Sequence, residues 1–342
     1  MAAKLKKHER KQQETTMNIR TLSSAALLGA LVLGGTSAAH AQAYPAHPIK
    51  LIVGYAPAGS VDTFARIIAP ELGRELGQTV VIENVAGAGG IIGVTRAVNA
   101  KPDGYTVLMG IVSDVVIAPI LQSSAKYTYR DLAAVAPLGT SGVGVVANPN
   151  LGVKSFGDLI ARAKANPGKL TYGATGVGSL PAIAMESFKL TTGTDITFIP
   201  YASASKIATD VIGGNVDIAV SGLPALLELI KSGRVTGVGV MSHDRDIGNP
   251  DLASAGETPE LKGMDYYFWT GIFAPSNTPE PIVQTLNAAF SRVMAKPEIQ
   301  ARFKELGVKV SPPTSPAAFG QFVASSDAQW QKLIEEAKIP RQ

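Results

Sequence analysis

At 342 residues the chain exceeds the usual size of one domain, so two domains with sizeable cores are expected. It carries 31 Lys and Arg against 27 Asp and Glu and has no Cys, which excludes disulfides, a thiolate nucleophile and a Cys-ligated metal. Six of the basic residues and two of the acidic ones precede residue 44, leaving 25 of each, so the basic pI gives no argument for nucleic acid or membrane lipid.

Residues 1–43 read as an export signal. Residues 22–35, LSSAALLGALVLGG, are an apolar run too short to span a bilayer, which takes about 20 residues. They follow a basic segment and precede Ala39, His40 and Ala41, a small-x-small cleavage pattern with a second option ending at Ala43. Met17, followed by Asn18, Ile19 and Arg20, reads as a more ordinary start than Met1. Nothing beyond residue 43 approaches a transmembrane length, so a soluble exported protein is expected.

Beyond the signal, short β-rich runs alternate with amphipathic helical runs, the pattern of an α/β fold with parallel sheets. The first strand, IKLIVGY (49–55), passes through a small-residue loop into a helix over 61–76. Gly59, Ser60 and Asp62 stand at that junction: Ser60 can cap the helix, and Asp62 can complement its dipole or turn toward a ligand. Free amides at such a junction form an anion site whichever role the side chains take. Strands follow at 79–84 and 105–110, and the loops after them, 85–90 and 111–114, stand with 55–61, 174–179, 200–203 and 220–223 at strand carboxyl ends, where open α/β sheets bind ligands. Between the two strands, Gly87, Gly89, Gly90 and Gly93 weakly resemble a dinucleotide fingerprint, but Ile92 occupies the place of its third Gly, and turn geometry is the better reading.

The same grammar returns with strands at 169–174, 195–200, 216–220 and 235–240 and helices at 155–166, 203–214 and 224–233. Thr175, Gly178 and Ser179 form the partner loop of the second half, but a phosphate-binding loop would need Lys where Ser179 stands. Tyr201 and Ser203 follow the strand at 195–200, and Ser221 ends the strand at 216–220, each placed to cap a helix or touch a ligand. The stretches 139–150 and 265–279 look like two crossings between domains, and Tyr266, Tyr267 and Trp269 read as core in preference to pocket wall. Helices at 279–295 and 316–338 complete the chain.

Catalytic readings do poorly. Ser179 lies between Val177 and Pro181 where a nucleophile elbow needs glycines, and His243 reads as a solvated loop residue. No paired His spacing for zinc exists, and no loop offers a nucleophile, base and orienting acid together. No catalytic residue, metal or cofactor is expected.

Together, YPAHPIKLIVGYAPAGSVDTFAR, LGQTVVIENVAGAGGIIG, KPDGYTVLMG, PGKLTYGATGVGS, IPYASASKIATDVIGGNVDIAV and WTGIFAPSNTPEPIV resemble the periplasmic solute receptors of tripartite tricarboxylate transporters, the Bug family. The resemblance covers nearly the whole chain beyond the signal. It implies a two-lobed, hinged, type II-like binding protein with two mixed or parallel sheets flanked by helices. It also implies that the ligand carboxylate is held largely by backbone amides and ordered water from the first lobe, with the second lobe closing on the far end. The matching positions are Gly59, Ser60 and Asp62, then Thr175, Gly178, Ser179, Tyr201 and Ser221. Three departures concern the loops: Ala58-Gly59 replaces a Gly-Gly pair, Ala202 replaces a frequent basic residue, and Ser221-Gly222 replaces an Asp-Asn pair. The last two remove charge from the far end of the pocket.

The lobes are expected at 44–143 plus 269–342 and at 144–268. The function expected is a monomeric periplasmic receptor that captures a small carboxylate and delivers it to membrane permease subunits, with no nucleic-acid partner. The alternatives are a sensing subunit for a membrane kinase and, behind it, an exported enzyme.

Overall fold

The computed structural model describes residues 44–176, 178–336, 339 and 341; the expected export signal lies outside the described residues. The first half runs β1 (Ile49–Val53), α1 (Ser60–Leu76), β2 (Val80–Asn84), α2 (Ile91–Val98), β3 (Thr106–Ile111). A π-helical turn, Ser113–Ile117, then leads into α3 (Ala118–Leu121) and the long β4 (Leu132–Ala147). After α4 (Phe156–Ala165) the second half repeats the order with β5 (Thr171–Thr175), α5 (Leu180–Thr192), β6 (Thr197–Tyr201), α6 (Ala204–Gly213) and β7 (Ile218–Gly222). It is followed by α7 (Leu227–Lys231) and β8 (Thr236–Val240), then β9 (Tyr267–Pro275), α8 (Glu280–Met294), α9 (Pro297–Glu305), β10 (Val308–Val310) and α10 (Pro316–Glu336).

The strand order is β2-β1-β3-β9-β4-β7-β5-β6, with β8 and β10 pairing on β4. β1 is parallel to β2 and β3, and β5 is parallel to β6 and β7, so each half is a parallel trio with its first strand in the centre. β4 and β9 are antiparallel to their neighbours and carry the chain between the trios. β4 pairs with β9 as far as Gly142 and with β7 from Val143, so one strand belongs to both ladders.

Burial of both faces explains the apolar runs of the central strands. Leu51 and Val53 pack on one side with Phe64, Ile68 and Phe290, while Ile52 faces the opposite core. In β3, Val107 and Met109 likewise separate from Leu108, as a period of two requires. Fully burying such a side chain contributes about 1.5–3 kcal/mol, so each central strand is anchored from two directions. Left-handed glycines, Gly77, Gly193 and Gly214, end α1, α5 and α6, where a Cβ would be strained.

Two elements differ from the sequence reading. The expected helix over 224–233 shrinks to α7 preceded by a 3-10 turn, Leu223–Ala225, which Pro224 can enter but an α-helix interior could not accept. The stretches read as crossings lie in β4 and β9, which do run between the trios, but β4 begins at Leu132, seven residues before the expected crossing, and its register shifts near Ala136 and Pro137. Pro and Gly in that stretch weaken its strand signal, and bulges are where a sheet accommodates them.

Candidate functional site

The strand-to-helix turns of both trios gather at strand carboxyl ends, where open α/β sheets bind ligands. They enclose a cavity of about 420 Å³, within the range of small-molecule sites. Gly59, Ser60, Thr175, Gly178, Ser179, Tyr201, Ser203 and Ser221 all line it. Asp62, the ninth expected site residue, does not.

Asp62 is instead a clasp behind the first turn. It is 2% exposed; one carboxylate oxygen accepts from the Ala58 N–H at 2.9 Å and from Arg66 Nε at 2.8 Å, and the other accepts from Asn84 Nδ2 at 3.0 Å. Asn84 Nδ2 also donates to the Tyr55 carbonyl, so the clasp ties β2 to the loop and holds Ala58 at a left-handed φ of 66°. Burial pushes the Asp62 carboxyl upward, but hydrogen bonds from Arg66, Ala58 and Asn84 outweigh it and hold the group below its ordinary value. An acid so committed is buried behind the loop and not on the cavity wall.

With Asp62 occupied in this way, nothing caps α1. Its N-cap is Gly59, which makes no side-chain cap bond, and among the described residues no side chain is seen to accept from the first amides. Those amides have no intrahelical acceptor, so Ser60 and Val61, both on the cavity wall, carry N–H groups left over at the positive end of a 17-residue helix. The helix starts of the second half are different. Ser179 Oγ accepts from the Ala182 N–H at 3.4 Å, and Ser203 Oγ accepts from the Lys206 N–H at 3.3 Å. The Leu180 N–H donates to Ser113 Oγ at 3.4 Å, which links α5 to the first half across the cavity.

Some wall residues lie outside the expected ligand loops, but the loops 85–90 and 111–114, expected at strand carboxyl ends, do reach the cavity. The turn from Gly87 to Gly90 has four consecutive positive φ values, including 47° at Ala88, and its backbone lines the cavity. The glycines do serve turn geometry: a Cβ on Gly90 would come within 2.7 Å of Asp114 Cβ and 3.0 Å of the Tyr55 hydroxyl. Ser113, Gln122, Ser141 and Thr270 also contribute. In β9 the residues that reach the cavity are Phe268 and Thr270, while Trp269 between them is buried in the core and donates from Nε1 to Ser326 Oγ at 2.9 Å. Period-two alternation was the available signal, since it separates Phe268 and Thr270 from Trp269. His243 stays exposed beside Asp244, away from the cavity.

Asp114 stands behind this wall, fully buried. Oδ1 accepts from the Ile111 N–H at 2.8 Å, and Oδ2 has no hydrogen-bond partner among the described residues. Two tyrosines approach it: Tyr127 donates to its carbonyl at 2.7 Å, and Tyr55 donates to the Gly89 carbonyl at 3.1 Å. Burial pushes the Asp114 carboxyl from 3.8 up to about 7, against the opposing Ile111 hydrogen bond. The native state therefore keeps a proton that the unfolded chain releases, and this group costs stability as pH rises from about 4 to about 7. Asp114→Asn removes that cost. The difference in urea-unfolding free energy, variant minus parent, should grow between pH 5 and pH 8; a constant difference would show that Asp114 is ionised throughout.

Two parallel trios joined through shared strands, with a cavity where their turns meet, define the two-lobed periplasmic binding protein fold. A family model described as the tripartite tricarboxylate transporter family receptor matches residues 64–339, and the chain belongs to that family. Among curated relatives, BugT of Bordetella pertussis is 33% identical over 300 residues, 86% of this chain and 91% of that protein. Among solved structures, the periplasmic binding protein BugD is 29% identical with a TM-score of 0.82, covering 87% of this chain and 100% of that one. Rpa4515 of R. palustris, solved with adipate, is 27% identical with a TM-score of 0.82, covering 87% of this chain and 99% of that one.

Proposed function

We propose that this protein is a periplasmic receptor that captures one small organic acid in the cavity and delivers it to the membrane subunits of a tripartite tricarboxylate-type transporter. The observation that carries the reading is the start of α1 without a side-chain cap, whose first residues, Ser60 and Val61, line a cavity with no charged side chain on its described wall. An anion there gains the helix dipole, about 0.3–1 kcal/mol, together with charge-assisted hydrogen bonds. Family membership and a structural neighbour solved with adipate support a carboxylate as that anion. They also support the periplasm as its location and a permease as its partner. The lobes are proposed as 44–143 plus 269–342 and 144–268, a division that the passage of β4 from one ladder to the other between Gly142 and Val143 supports.

Calorimetry on the receptor with a panel of mono-, di- and tricarboxylates should give a single site per chain and no binding of the corresponding amides. Two equivalent sites per chain, or equal affinity for acid and amide, would overturn the proposal.

A further inference from the structure

We infer that capture of an anion in the cavity is coupled to proton uptake at Asp114, so that the receptor binds its acid more tightly as pH falls. The inference rests on the receptor reading above and adds a regulatory response to the same site.

Asp114 lies behind a thin part of the cavity wall. It is fully buried, and Oδ2 has no hydrogen-bond partner among the described residues. Gly54 and Gly90 line the cavity in front of it: a Cβ on Gly54 would lie 3.6 Å from Asp114 Oδ2, and one on Gly90 would lie 3.0 Å from it. The Tyr55 hydroxyl, on another wall residue, is also 3.0 Å from that Gly90 position. With glycines at both places, no side chain of theirs separates the carboxyl from a ligand.

A buried carboxylate with an unpartnered oxygen is disfavoured, whereas the neutral acid is tolerated, and burial accordingly moves the Asp114 carboxyl up to about 7. An anion about 10 Å away raises such a group by about one further pK unit at the effective dielectric of proteins. The cavity holds about 420 Å³, so its ligand stays within that range of the wall. Whatever favours the protonated acid is in turn bound more tightly by it, which fixes the sign of the coupling.

The groups around Asp114 leave it to titrate alone near neutral pH. Tyr55 and Tyr127 are both held above their ordinary value, chiefly by burial, and stay neutral. Two charged helices, α2 and α10, pack on the π-helical turn that carries Asp114. Arg96 of α2 pairs with Glu83 at 2.7 Å, Lys332 and Glu335 of α10 are exposed, and Asp327 of α10 accepts from Gln331 Nε2 at 2.6 Å. His47 and His243 are exposed and off the cavity wall.

Calorimetry with succinate, adipate and benzoate tests this, with the tightest of the three as the probe. Titration at pH 7.5 in phosphate and in Tris, buffers of different ionisation enthalpy, counts the protons taken up; about half a proton per ligand is expected. Between pH 7 and pH 9, where all three acids stay ionised, affinity should fall about fivefold. Asp114→Asn should remove both the uptake and the fall. No uptake by the parent, or uptake that persists in the variant, overturns the inference and leaves the receptor reading standing, whereas silence from all three acids contradicts both. Should the variant not fold, carbon-13 NMR of the Asp carboxyls in the parent decides: the Asp114 midpoint should rise by about one pH unit on saturation with the probe, and an unchanged midpoint overturns the coupling.

Discussion

Ser60→Pro is expected to weaken carboxylate binding about 10- to 100-fold while leaving the fold intact, the weakening that follows from losing a hydrogen bond to a charged group. The substitution removes one of the two amides proposed to hold the carboxylate and places the Pro ring where a ligand oxygen would sit. The helix tolerates it because position N1 has no intrahelical bond to lose and Pro already favours helical φ. Gly59, at φ −82° and ψ 170°, lies in the extended region that a residue before Pro must occupy. Ser60→Ala, which keeps the amide and loses only the hydroxyl, should cost far less. Calorimetry and thermal unfolding of both variants check this. Equal effects of Pro and Ala would assign the contact to the hydroxyl.

Gly222→Asp should abolish measurable binding, and Gly222→Asn should weaken it only modestly. A Cβ on Gly222 would lie 3.5 Å from both Ser60 Oγ and a Phe268 ring carbon, ordinary contact distances, and φ −57° with ψ 129° suits any residue. Either variant should therefore fold. The two side chains are nearly the same size and differ in charge. A carboxylate at this position faces the start of α1 and competes with the ligand for its amides. Two like charges about 4 Å apart near a protein surface repel by about 4 kcal/mol, a factor near a thousand in affinity. If Asn and Asp weaken binding alike, bulk and not charge is responsible, and the anion does not sit at Ser60.

Legibility in the sequence followed the range of the interactions concerned. Ser179 and Ser203 could be read as caps because capping depends on neighbours within a turn, whereas Ser60, expected to cap α1, stands one residue inside it behind Gly59. The alternation of strand and helix showed both trios for the same reason. The role of Asp62 could not be read locally: an acid in a first turn suits both a ligand and a clasp, and the decision comes from Asn84 on the adjacent strand. Trp269 is core as expected, while Phe268 was not singled out, because the alternation that puts the two on opposite faces applies only once 267–275 is known to be a strand. Ser113 and the turn from Gly87 to Gly90 could be placed among the ligand loops because they follow strand carboxyl ends, whereas Gln122, Ser141 and Thr270 reach the cavity only through tertiary placement. β4 was seen late because Ala, Gly and Pro dominate its first half, and only its pairing with β9 makes it a strand.

The central claim is that backbone amides at the start of α1 grip the ligand's charge in a cavity without charged side chains. A crystal structure of the receptor with the tightest acid of the panel tests it most directly. The account predicts carboxylate oxygens about 2.7–3.1 Å from the Ser60 and Val61 nitrogens, with no Lys or Arg in contact. A carboxylate paired with a basic side chain, or bound away from α1, would contradict it.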